Sequence, residues 1–212
     1  MPDIDRLLAL TDGVVAIALT LLVLQLRVPE LSTNVDSASA LWKALGVDGG
    51  ELTSYLISFV VIAQFWLVHH RILRTMRGHS EGLAWRNFGF LLALTLMPFT
   101  SDLMGRYSDN PLSITFFAIN LLALSLSTQW IYAYANSHHL VVDQRRSSYE
   151  ERLGRVRAIL TVAVVTIAIV LAWTDTTLAR YVWLLFLVVP VLGSRIASRA
   201  EPEQPAQASA SG

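Results

Sequence analysis

Six apolar segments, near residues 6–27, 52–74, 84–104, 112–135, 156–174 and 178–197, divide a chain of 212 residues. Each runs for roughly 20 residues, the length an α-helix needs to cross about 30 Å of hydrocarbon at about 1.5 Å per residue. That pattern restricts the chain more than any other feature, because segments apolar on all sides need lipid or protein around every face. A mean hydropathy of +0.51 and only 15% charged residues fit the same class. The expectation is an all-α integral membrane protein with six transmembrane helices per subunit.

The polar stretches between the segments fill in the organisation. The chain opens with MPDID, acidic where a secretory signal is basic and followed by no small-residue cleavage site, so the first segment reads as a retained helix. Residues 28–51 read as a polar loop, with a short interfacial helix around Leu41 to Leu45. Residues 1–200 read as one six-helix transmembrane domain, and 201–212, EPEQPAQASASG, as a disordered cytoplasmic tail. The chain has no cysteine, which excludes disulfides, thiolate metal sites and thiol catalysis. Net charge is zero and no basic face is visible, so no nucleic-acid partner is expected.

Basic residues orient the helices. With the N-terminus inside, the cytoplasmic segments hold Arg6; Arg71, Arg74, Arg77 and Arg86; Arg145, Arg146, Arg152, Arg155 and Arg157; and Arg195 and Arg199. The opposite side holds only Arg27, Lys43, Arg106 and Arg180. Basic residues near helix ends stay cytoplasmic, so both termini are expected inside.

The first segment, RLLALTDGVVAIALTLLVLQLRVP, keeps polar groups that a lipid-spanning helix has little reason to carry. On a helical wheel Gly13, Ile17, Thr20, Leu21 and Leu24 share one face, and Asp12 lies about 140° from Ile17. A carboxylate at membrane depth costs on the order of 3 kcal/mol, so Asp12 is expected to turn into protein and find donors. The stripe by itself fits a lipid-facing or core face equally well.

The residues around Asp12 carry a resemblance. Arg6, Leu10, Thr11, Asp12 and Gly13 with the apolar run that follows are similar to the R-x-x-x-F-S-D-G signature of the transmembrane protein 175 family of potassium channels, in its prokaryotic single-repeat form. FWLVHHR at 65–71 resembles that family's second-helix W-x-x-H-H-R pattern, and NFGFLLALTLMPFTSDLMG at 87–105 its third helix. Leu10 replaces the motif's Phe, and Thr11 replaces its Ser while keeping a hydroxyl.

The resemblance implies a homotetramer in the prokaryotic plasma membrane, with the first helices around a central pore. It implies a potassium-selective, leak-type channel without a carbonyl selectivity filter. Ile17 takes the position of the apolar constriction, with Leu21 and Leu24 above it and Thr20 as a hydroxyl layer. Trp66 and His69 are implied as partners of Asp12, with Arg6 below, in a structural network behind the pore. Permeant potassium, lipid and further copies of the chain are the partners implied, and no cofactor is.

Other features are read more plainly. His70 reads as a helix end near the headgroups. His138 and His139 are adjacent, point about 100° apart on a helix and have no ligand four residues away, so they do not read as a metal site. Residues 145–157, RRSSYEERLGRVR, read as a solvated linker, Pro98 and Pro190 as kinks, and Asn120, Ser125 and Thr128 as interhelical contacts. A proton-coupled membrane transporter is the alternative reading, with Asp12 as carrier; the chain shows no internal repeat or broken midplane helix to support it. Asp12 and Asp102 are the only carboxylates suited to intramembrane catalysis and fall near opposite faces, so the chain does not read as an enzyme.

Overall fold

The structure is a computed structural model that describes residues 4–27, 38–39, 49–76, 78, 80–142 and 144–187. Helices account for nearly all of them: α1 (Ile4–Val23), α2 (Gly49–Arg74), α3 (Glu81–Thr95), α4 (Met97–Arg106), α5 (Pro111–Ser137), α6 (Gln144–Ala172) and α7 (Thr176–Val182), which runs into a 3₁₀ turn, Trp183–Leu187. Among the described residues five spans are long and apolar enough to cross a membrane, with α3 and α4 together forming one of them. The sixth expected segment begins at α7, and its later part, with Pro190, lies outside the described residues. So do the interfacial helix expected at Leu41 to Leu45 and the tail 201–212.

The helix starts are written in local chemistry. Ser80 caps α3 by accepting from the Leu83 amide at 3.2 Å, and Asn110, ahead of Pro111, caps α5 by accepting from Leu112 at 2.9 Å. Asp175 accepts from Thr177 and Leu178 at 2.9 and 3.1 Å, so the Trp173–Asp175 turn closes α6 and opens α7 without a longer loop. In the connection that holds Ser80, Met76 forms an isolated antiparallel bridge with Val141 that ties the α2–α3 connection to the α5–α6 connection, with Val142 N–H donating to the Thr75 carbonyl at 3.0 Å.

Pro98 breaks the third span. Proline has no N–H, so the helical ladder is interrupted at Leu96 and α4 restarts with Pro98 in its first turn. The Pro98 carbonyl accepts from Gln25 Nε2, past the end of α1. Beyond the kink, α4 approaches α2 closely over small residues: Ser54 Oγ donates to the Ser101 carbonyl at 2.6 Å and Ser58 Oγ to Ser101 Oγ at 2.8 Å. A Cβ on Gly105 would stand 3.1 Å from Glu51 Cα, so glycine is what permits the contact. Asn120 Nδ2 of α5 donates to Thr100 Oγ1 at 3.2 Å and joins a third helix to the pair. Thr128, by contrast, bonds only the Leu124 carbonyl of its own helix at 2.8 Å among the described contacts.

The bundle core lies among α2, α3, α5 and the α7 turn, where Phe90, Phe117, Ile62, Leu121 and Trp183 are closed off. α1 lies on α2, α3 and α4, and α6 on α5 and α7. One expectation is corrected here. Residues 145–157 are part of helix α6, which begins at Gln144, and Gly154 and Arg157 at the end of that stretch face α5 and α2. The linker reading weighed the charges and missed Gly154, the small residue that lets Gln129 Nε2 reach its carbonyl at 2.6 Å.

Candidate functional site

Two faces of α1 have opposite fates. Leu7, Thr11, Val15, Ala18 and Leu22, spaced by three or four residues, are buried against the rest of the subunit. On the other side Ile17 is 60% and Leu24 76% exposed, with Leu10, Gly13, Thr20 and Leu21 exposed as well. Thr20 Oγ1 donates to the Ile17 carbonyl at 2.8 Å, which fixes the hydroxyl and leaves its lone pairs outward. The subunit therefore offers an apolar stripe with one hydroxyl layer and covers it with nothing of its own among the described residues.

Behind that stripe α1 is pinned by polar contacts at two consecutive residues. Thr11, 1% exposed, donates to the Leu7 carbonyl at 2.9 Å and accepts from Asn87 Nδ2 of α3 at 3.1 Å. Asp12, turned about 100° further round the helix, accepts from Trp66 Nε1 of α2 at 2.7 Å. His70, one turn on from Trp66, brings Nδ1 to 3.8 Å from the same carboxylate oxygen, an electrostatic contact rather than a hydrogen bond, and its ring lies 5.5 Å from the Trp66 ring.

Two members of the expected network sit elsewhere. His69 makes no hydrogen bond or ion pair with Asp12 among the described residues: it is 1% exposed and stacks on Phe90 with centroids 4.2 Å apart at 17°. Adjacent residues on a helix diverge by about 100°, so once Trp66 meets Asp12, the histidine four residues on follows it and the one three residues on turns to α3. The histidine beside Asp12 is thus His70, which the sequence alone places at a helix end near the headgroups. Arg6 is exposed and makes no ion pair with Asp12 among the described residues. Asn87 was visible in the sequence only as the start of a motif; its pairing with Thr11 needs the register of α1 on α3.

The remaining candidates have local partners. Asp102 pairs with Arg106 on the same helix at 2.6 Å, well apart from Asp12. His138 packs on Tyr134 at 3.9 Å between centroids and His139 sits at positive φ in the turn that follows α5. Among the described residues no three His, Asp or Glu side chains converge as metal ligands would.

Fold and site together define a multi-pass helical membrane protein whose first helix is held from behind by side-chain hydrogen bonds and shows an apolar face outward. A family model described as "Endosomal/lysosomal potassium channel TMEM175" matches residues 6–98, the stretch that holds α1, α2 and most of the third span. A protein named as a potassium channel from Streptomyces collinus is 26% identical over 161 residues, 74% of this chain and 76% of that one. The endosomal/lysosomal proton channel TMEM175 of mouse is 26% identical over 151 residues, 71% of this chain and 30% of the mouse protein. The crystal structure of a lysosomal potassium-selective channel TMEM175 homolog from Chamaesiphon minutus superposes with a TM-score of 0.75 at 23% identity, over 90% of this chain and 97% of that one. The chain is thus similar to the transmembrane protein 175 family, in sequence over its first three spans and in fold over most of its length.

Proposed function

We propose that this chain is a potassium channel of a prokaryotic plasma membrane, a homotetramer whose four α1 helices surround the ion path, with both termini cytoplasmic. The observation that carries the reading is the exposed Ile17, Thr20, Leu21 and Leu24 stripe on a helix whose opposite face is anchored through Thr11 and Asp12. A helix placed to meet only lipid has no need of such anchoring. The names of the relatives support the same class, and the excess of basic residues on one side supports the orientation.

Four Ile17 side chains in a ring offer an ion no oxygen in exchange for its water, so passage depends on wetting of the constriction and on partial dehydration. Potassium gives up water at less cost than sodium, and four Thr20 oxygens beside the ring offset part of that cost. The test is ion flux from liposomes that hold the purified full chain, with potassium, caesium, sodium and protons compared under separate gradients. A potassium flux that needs no proton gradient, and that rises with weaker potassium preference in Ile17→Asn, is the expected result. Flux and selectivity unchanged in Ile17→Asn remove Ile17 from the path; flux that runs only with a proton gradient favours the coupled transporter.

A further inference from the structure

α1 carries one glycine, Gly13, and no described contact asks for it. The helix runs unbroken from Ile4 to Val23, with Gly13 near its middle and exposed. A Cβ built there would meet no atom of the described residues within 4 Å. Glycines elsewhere in the bundle stand against a neighbour: a Cβ would lie 3.1 Å from Glu51 Cα at Gly105, 3.0 Å from Gln129 Oε1 at Gly154 and 3.8 Å from the Trp130 ring at Gly89. Inside a helix glycine is less stable than alanine, because it has more backbone freedom to lose on folding. A position that costs stability and serves no described contact within its own subunit answers to what lies outside the subunit.

Its direction says what that is. At about 100° per residue, Gly13 lies about 20° from both Thr20 and Leu24 and about 40° from Ile17, at the centre of the exposed stripe. Leu10 and Leu21 lie about 60° and 80° to one side of it. A helix packed beside α1 would meet such a flank, whereas the centre of the stripe faces the axis that the copies share in the proposed tetramer. At about 1.5 Å per residue, Gly13 is also about 6 Å from Ile17 along the helix, on its N-terminal side. Apolar side chains at a constriction close it by dewetting. A residue with no side chain leaves room for water just before the ring, and exposes backbone that water can touch.

We propose that Gly13 sets the rate of conduction: its missing side chain leaves a water-holding widening one turn to the N-terminal side of Ile17, where a potassium ion keeps its hydration shell until it enters the apolar ring. This rests on the reading of α1 as the lining of the ion path. It adds a residue that acts by the volume it leaves empty, so filling that volume should slow the ion without harming the fold.

The test uses the full chain in liposomes. The natural sequence has no cysteine, so Gly13→Cys carries the only thiol. A trimethylammonium methanethiosulfonate reagent attacks through the thiolate, which forms in water and is suppressed in apolar surroundings, and intact mass reads the adduct without any need for flux. Gly13→Cys is expected to label much faster than Leu126→Cys, which sits on the exposed face of α5. Gly13→Leu is expected to assemble as wild type does and to pass potassium about tenfold more slowly, the effect of roughly 1.4 kcal/mol of added barrier. Gly13→Ala should melt no lower than wild type, and about 2 to 4 °C higher from helix propensity alone. Labelling of Gly13→Cys no faster than Leu126→Cys, or a wild-type rate in Gly13→Leu, overturns the proposal. So does a lower melting temperature in Gly13→Ala or failed assembly of Gly13→Leu, which would make Gly13 a packing contact between copies of the chain. Wild type that passes no potassium ends the channel reading and this proposal with it; an unlabelled thiol beside a conducting wild type ends this proposal alone.

Discussion

The stability of the α1 anchor rests on unequal contacts at neighbouring residues. Trp66 Nε1 gives Asp12 a 2.7 Å hydrogen bond, whereas His70 stands 3.8 Å away. Trp66→Phe, which keeps most of the ring and deletes the donor, should therefore destabilise the protein by about 1 kcal/mol, between the average interhelical bond in bilayers and a bond to a charged acceptor. His70→Ala should cost less, because its contact at 3.8 Å is beyond hydrogen-bond distance. Thermal unfolding of the purified variants checks the order, and an equal loss in both would show that the carboxylate depends on His70 as much as on Trp66. At Thr20 the hydroxyl already donates to the Ile17 carbonyl, so Thr20→Val removes an oxygen without opening the helix. The expected outcome is a lower potassium-over-sodium flux ratio with the melting temperature little changed; a wild-type ratio would take Thr20 off the ion path.

At the scale of elements, the kink at Pro98 and the seam between α2 and α4 belong together. Ending α3 at Thr95 lets α4 leave at its own angle, and small residues then bring it against α2: Ser54 and Ser58 meet Ser101, and Gly105 meets Glu51. Gly105→Leu places a side chain where even a Cβ is 3.1 Å from the Glu51 backbone, which α2 cannot yield without losing the serine contacts. The variant is expected to lose about 1 to 3 kcal/mol by overpacking, and a fall in melting temperature with a lower yield of assembled protein is the measurement. Gly50→Ala probes the same seam, with its Cβ 3.0 Å from the Gly105 carbonyl oxygen.

For the whole molecule the question is whether Asp12 holds the helix or carries protons. Its surroundings hold α1 in place: an indole donor on one side, the Thr11–Asn87 pair on the next helix face, and an exposed apolar stripe opposite. Asp12→Asn keeps the shape and part of the hydrogen bonding. It is expected to lower thermal stability or the yield of the proposed tetramer while the surviving protein passes potassium without a proton gradient. A variant as stable as wild type that loses only a proton-driven flux would make Asp12 a carrier and end the channel reading. Cross-linking of the full chain in liposomes measures the oligomeric state in the same samples.

Much of this protein is legible in one dimension because the bilayer is a simple solvent. It demands apolar runs of a set length, and those runs mark most of the helices and their order before any contact is known. Periodicity likewise separates the stripe at Ile17, Leu21 and Leu24 from Asp12, since both lie on one helix with a known turn. Which histidine stands beside Asp12 is a different kind of fact. It depends on how far α2 is rotated and shifted against α1, and Trp66 decides that by reaching Asp12, which carries His70 along and leaves His69 to Phe90. Asn87 at Thr11 and Gly105 at Glu51 are set in the same way, by rotations and distances between helices that are far apart in the chain. Hydropathy is a property of each segment and survives reading one residue at a time; register is a property of pairs, and only packing in three dimensions chooses it.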